Sequence, residues 1–315
     1  MATIKLTTAK KEVTITLRGF GNAAINWGDS KISQTVALSM GKTTVLTYTY
    51  SVVSTRTITI TGDVITVLGC SENELTGLSV KECTTLTSLG CYYNQLTTLD
   101  VSGCNSLETL ACSNNLLDNL NISGCIALVT LSCHNNRLKT LNLGSSRTRL
   151  QPQKKEEINT LPTKIIETAL KPVEPQLPDR QWPFEFEDKR FPPERPDLEV
   201  EIKDYGKIEI VVPPDYATAV YPKLRYLYCS DNQLTTLDLT GCPMLEKVFS
   251  ANNLLTTLMV KGLTFLQHVS CHHNRLTDIN IDGCCLLRYI LCLAGQNIPL
   301  SISGMKQQNS TLTIK

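Results

Sequence analysis

A period of 21 residues constrains this chain more than any other feature of its sequence. Starting at Cys70 it reads CSENELTGLSVKECTTLTSLG, then CYYNQLTTLDVSGCNSLETLA, then CSNNLLDNLNISGCIALVTLS. A fourth copy opens as CHNNRLKTLNLGSS and loses the pattern. The pattern resumes in YPKLRYLYCSDNQLTTLDLTGCPMLEKVF and continues as SANNLLTTLMVKGLTFLQHVS and CHHNRLTDINIDGCCLLRYIL. A degenerate copy, CLAGQNIPLSISG, closes the array. A catalytic or metal-binding group needs different residues converging on one point. A stacked scaffold needs the same residue once per layer, and repetition of this kind predicts a solenoid.

Each copy supplies one short strand, such as Leu110-Ala111-Cys112, which is expected to pair in parallel with its neighbours about 4.8 Å away. Its Leu, Ile and Cys side chains form a core that one copy could not bury alone. Asn73, Asn94, Asn115, Asn136, Asn232, Asn253 and Asn274 share one phase. A carboxamide both donates and accepts, so a ladder of them can satisfy the backbone where each strand turns.

The unit LxxLxCxxNxLxxL resembles the leucine-rich repeat, with cysteine in the third aliphatic slot. The 21-residue step and the LTTLDVSGC half are similar to repeats of Bacteroidetes surface proteins. The resemblance covers roughly residues 63–146 and 223–304. It implies a β-rich, right-handed leucine-rich-repeat solenoid with a parallel sheet, and a place at the bacterial cell surface.

The 13 cysteines are not spaced as a disulfide framework. Twelve fall on two phases of the period and only Cys285 is extra, so they read as small buried hydrophobes with free thiols. The pair His272-His273 after Cys271 invites a zinc reading. Consecutive residues on a strand face opposite ways, however, and no CxxC or HxxxH supplies further ligands. No metal and no cofactor is expected. A Cys/His nucleophile meets the same objection, because a buried thiol lacks an activating environment. No GxSxG, phosphate-cradling loop or paired-carboxylate motif appears, so the chain is read as non-enzymatic.

Residues 1–62 alternate as strands, in ATIKLTT, EVTITLRG, AAINWGD, QTVALSM, TTVLTYTYS and TRTITIT. The INWGDS and YTYS pieces resemble the WGDG motif and aromatic strand of PKD-like β-sandwiches, with Ser30 where glycine usually stands. A β-sandwich-like cap over the first repeat is expected, with Asp29 as a turn former. Residues 151–222 hold 12 of the 14 prolines, no cysteine, and 25 of the 59 charged residues. That shift marks an insertion between repeats 63–150 and 223–315. It is read as an α+β or irregular segment: a short helix in TLPTKIIETALK, a hairpin around Asp204-Tyr205-Gly206, and between them a Pro-rich stretch with Trp182, Phe184, Phe186 and Phe191.

A net charge of +1 without a basic stripe argues against nucleic acid. No apolar run of 18 residues is present to span a bilayer. The start lacks the apolar region of a signal peptide. Two readings stay open: a cytosolic protein, or export by a signal preceding residue 1.

What varies between copies is where function should sit. Thr87, Ser88, Glu108, Thr109, Val129 and Thr130 flank the ladder in the first block. In the second block the same phases carry Arg225, Tyr226, Glu246, Lys247, Gln267, His268, Arg288 and Tyr289, with Tyr228 and Phe249 just before the ladder position. Tyr and Arg are enriched at binding hot spots, and concave solenoid faces are usual contact surfaces. The expected ligand-binding set is therefore Arg225, Tyr226, Tyr228, Lys247, Phe249, His268, Arg288 and Tyr289, with Trp182, Phe184 and Phe186 in the insertion. The expected partner is a protein or a glycan. A purely architectural spacer, or an enzyme with its active element in the insertion, are the alternatives. Oligomeric state is not legible.

Overall fold

The computed structural model describes residues 2–29, 33–39, 41–143, 220–292, 301–303 and 313–314. The chain divides into two units, Met1–Ser146 with Val212–Lys315, and Arg147–Val211; every described residue belongs to the first. The short helix, the hairpin and the aromatics expected in the insertion lie outside the described residues.

The fold is a β-rich solenoid with a parallel sheet, and the described residues contain no helix. One strand of three residues per turn builds the main sheet: β7 (Ser88–Gly90), β9 (Thr109–Ala111), β11 (Thr130–Ser132), β12 (Tyr226–Tyr228), β14 (Lys247–Phe249), β16 (His268–Ser270) and β18 (Tyr289–Leu291). All pair in parallel and in register, so Leu89, Leu110, Leu131, Leu227, Val248, Val269 and Ile290 stack at one position, at most 1 % exposed. Short strand pairs form on the opposite side of the turns, as in β8 (Thr98–Asp100) with β10 (Asn119–Asn121).

The asparagine ladder joins each turn to the next. Asn115 Oδ1 accepts from Leu96 N–H at 3.0 Å, while its Nδ2 donates to the carbonyls of Cys91, Cys112 and Ser113 at 3.0–3.2 Å. Asn94, Asn136, Asn232, Asn253 and Asn274 repeat this arrangement one rung at a time. The second cysteine phase is also bonded rather than merely apolar. Cys104, Cys125 and Cys284 donate their thiol protons to the carbonyls of Val80, Val101 and Val260 at 3.1–3.2 Å.

The array crosses the insertion without losing register. Leu131 of β11 lies directly beside Leu227 of β12, although 96 residues separate them in sequence instead of 21. Tyr221 occupies the slot that Cys104 and Cys125 hold in the turns before it. Its hydroxyl donates to the Ile122 carbonyl at 3.3 Å, the same bond a thiol makes elsewhere. The residue is only 3 % exposed, so the repeat array already includes a position that composition assigns to the insertion.

The N-terminal strands run directly into the array. β5 (Arg56–Gly69) pairs antiparallel with β1 (Ala2–Thr8) and with β2 (Glu12–Asn26), and its last residues pair in parallel with β7. The change from cap to repeat thus falls inside one strand that spans residue 62. β2 combines two of the segments read separately from sequence, because its register shifts between Arg18 and Gly19 and again between Phe20 and Ala23. A Cβ on Gly19 would lie 2.0 Å from the Val64 carbonyl oxygen, so the backbones meet there only through glycine. The cap also ends the ladder: Thr14 N–H donates to Asn73 Oδ1 at 3.0 Å, and Asn73 Nδ2 donates to Thr14 O at 2.7 Å. Trp27 stacks on Tyr48 with centroids 4.9 Å apart, the Tyr48 hydroxyl donates to Asp29 at 2.6 Å, and that of Tyr50 donates to the Trp27 carbonyl at 2.6 Å.

One turn departs from its sisters. Gly103, Gly124, Gly262 and Gly283 adopt φ of 76° to 82°, and Glu82, at the same phase, is held at φ 59°. A left-handed backbone costs an ordinary L-residue about 1 kcal/mol. Glu82→Gly is therefore expected to raise stability by about 1 kcal/mol, read as a higher urea midpoint at unchanged slope. A lower midpoint would mean that the carboxylate contributes more than the strain removes.

Candidate functional site

In each main-sheet strand the middle residue enters the core, so the first and third residues face the other way. Register then arranges these outer positions in rows along the array. In the first block the rows are small: Ser88, Thr109 and Thr130 in one, Gly90, Ala111 and Ser132 in the other, with Ser88, Thr130 and Ser132 buried. In the second block the first row becomes Tyr226, Lys247, His268 and Tyr289, and the other becomes Tyr228, Phe249, Ser270 and Leu291. All of these are half-buried.

Six of the eight predicted residues of the second block fall into three groups, and Lys247 and Arg288 belong to none of them. Tyr228 and Phe249 are stacked, with centroids 5.1 Å apart and planes 3° from parallel. His268 and Tyr289 lie 5.3 Å apart at 31°. Arg225 donates through Nε to Glu246 Oε1 at 2.7 Å and through Nη2 to the same oxygen; its guanidinium carbon sits 5.6 Å from the Tyr226 ring centre. The Tyr226 hydroxyl donates to Glu246 Oε2 at 3.1 Å. Glu246 therefore fixes two side chains of the neighbouring turn. Burial pulls the Arg225 pKa down, but the Glu246 hydrogen bond and the Tyr226 and Glu246 charges together outweigh it, so the net shift is upward. Burial, reinforced by the Glu246 charge, also pushes the Tyr226 phenol up. Arg288, at the phase of Arg225, is exposed. Trp182, Phe184 and Phe186 lie outside the described residues.

A second pairing escaped the sequence reading. Ser132 Oγ and His134 Nδ1 are 3.0 Å apart, and Ser270 Oγ and His272 Nδ1 are 3.1 Å apart at the same phase. Both turns carry serine two residues before histidine, and on a strand such residues share a face. That spacing was the available signal. Burial, then the neighbouring His273, lowers the His272 pKa. Tyr92 and Tyr93 form a further ring pair, with centroids 5.8 Å apart and Tyr93 52 % exposed.

The thiols have little nucleophilic character. Burial pushes Cys70, Cys125 and Cys133 up to about 12 and Cys83 and Cys284 up to about 11. Cys91, Cys112 and Cys229 are raised further. All thirteen are unbridged, and all but Cys285 are buried. Cys271 points into the core while His272 is half-buried on the other side. Among the described residues no three His, Cys, Asp or Glu are grouped as metal ligands. The described residues include no helix long and apolar enough to cross a membrane.

No protein-family model matches the chain. No curated protein matches it in sequence. Among solved structures it is similar to the functional domain of InlJ from Listeria monocytogenes, which includes a cysteine ladder, with a TM-score of 0.49 and 22% identity. That likeness covers 80% of this chain, which spans only 39% of the InlJ chain.

Proposed function

We propose that this chain is a non-enzymatic recognition module that binds a macromolecular ligand on the outer face of turns β12 to β18. One observation carries the reading. The same sheet positions that hold Ser, Thr, Gly and Ala in the first block hold Tyr, Phe, Lys and His in the second, with Arg225 and Tyr226 held in place by Glu246. Core physics demands none of these side chains, because the inward positions already close the solenoid. Held Tyr and Arg side chains lose little conformational entropy on binding, which is what makes such residues effective anchors. The repeat pattern and the PKD-like WGDS motif support a place at a bacterial cell surface, where a protein or glycan ligand would be met.

The triple variant Arg225→Ala, Tyr226→Ala, Tyr289→Ala tests this on a protein and glycan array. A loss of at least ~100-fold in affinity for a wild-type hit is expected, since two or three hot-spot residues contribute about 2 kcal/mol each. The β-sheet circular dichroism should be unchanged. Full retention of binding would reject this face and move the contact to the cap or to Trp182, Phe184 and Phe186.

A further inference from the structure

Resting on that reading, we infer that the outer face takes an acidic, extended peptide segment whose carboxylates lie about four residues apart. The sequence Arg-Tyr occurs twice on this face, as Arg225-Tyr226 and Arg288-Tyr289, at the same phase and three rungs apart. Three parallel rungs span roughly 14 Å, which is about four residues of extended chain. The two pairs thus place two arginines of the same phase at a fixed separation, Arg225 held by Glu246 and Arg288 exposed.

Charge selects the ligand class. Between these anchors inclusive, the outer positions carry Arg225, Lys247 and Arg288 against Glu246 alone. Glu246 engages Nε and Nη2 of Arg225, so the fork is oriented while Nη1 makes none of these bonds. Arg288 is exposed.

Ring geometry separates peptide from sugar. A pyranose is gripped by laying it on an aromatic face. Tyr228 and Phe249 are parallel within 3° and turn one face of each ring toward the other. That stacking occupies one face of each ring that a pyranose would need, whereas ring edges in general carry the positive charge that suits carboxylate and carbonyl oxygens.

The test uses the full chain and capped, dye-labelled Gly/Ser peptides carrying two glutamates separated by two, four or six residues, read by fluorescence anisotropy. The four-residue spacing should bind at least tenfold tighter than the others, and two glutamines in place of the glutamates should abolish binding. Arg288→Gln, which leaves the Glu246 network intact, should cost at least tenfold, and Arg288→Lys should recover part of it. Raising salt from ~0.05 M to ~0.5 M should weaken binding, as screening requires. Equal affinity at every spacing would overturn the two-anchor inference. Competition by a polyuronate but not by polyglutamate would overturn the peptide class in favour of an anionic glycan. A captured partner that is lost in the triple variant, yet not displaced by polyglutamate, would overturn the acidic class while leaving the site in place. Retention of peptide binding by the triple variant would overturn the site itself.

Discussion

Replacing Asn115 with alanine is expected to destabilise the protein by about 4 kcal/mol. The carboxamide makes four hydrogen bonds inside the array, one received from Leu96 and three given to Cys91, Cys112 and Ser113. Alanine would leave the Leu96 N–H and those carbonyls facing a small apolar void. Each buried group left without a partner costs about 1–3 kcal/mol, and carbonyls with a second lone pair in use suffer least. Thermal unfolding should shift down by roughly 10 °C. Asn115→Asp separates the contributions: it retains an acceptor for Leu96 but loses every donor and buries a charge, so it should be at least as damaging. A shift of only ~1–2 °C for alanine would mean that ordered water replaces the amide, and that the ladder is a consequence of stacking rather than a cause.

That ladder was legible in the sequence because it is demanded by repetition. Every layer has the same orphan backbone groups at the same corner, so the residue that satisfies them must recur at the period. Cysteine at two phases was legible for the same reason, although one phase proves to donate S–H bonds that composition alone does not disclose. The cap was less legible. Its alternation was plain, but the two register shifts in β2 hide the continuity of Glu12–Asn26 behind glycines that look like strand ends. Tyr221 was hidden more completely. It performs the task of a cysteine with a larger side chain and stands beside Pro222, where the surrounding composition resembles the insertion. Of the candidate site, the aromatic and basic residues of the second block were readable from their phases. Their grouping also follows from the period, since Arg225 and Glu246 are one repeat apart. What phase could not convey is that Glu246 spans to both Arg225 and Tyr226, because that depends on rotamers.

The second large effect concerns the length of the insertion. Removing residues 146–220 joins Ser145 to Tyr221 and restores the step of 21 between Leu131 and Leu227. The join reads LNLGSY, in phase with LNISGC of the preceding turn, and keeps the Tyr221 hydroxyl at the Ile122 carbonyl. This variant is expected to fold with its β-sheet spectrum intact and its midpoint within a few degrees. A variant that also removes Gly144 and Ser145 shortens the turn by two residues. It forces either a strained corner or a broken pairing between β11 and β12, and should lose several kcal/mol, the cost of one interface between neighbouring repeats. Chemical unfolding of the two proteins side by side distinguishes the outcomes. Similar midpoints for both would show that this turn tolerates changes in length, and that the register match across it has no energetic weight.

β5 gives the array a polarity that its repeats lack. A stack of like turns ordinarily frays by releasing its terminal turn, because that turn has one neighbour and little to lose. Here the terminal turn at the N-terminal side is the continuation of a strand gripped by β1 and β2. Peeling it away would require tearing a zipper of antiparallel pairs along most of fourteen residues. The N-terminal end of the coil is therefore anchored, and unwinding by single turns has no starting point on that side.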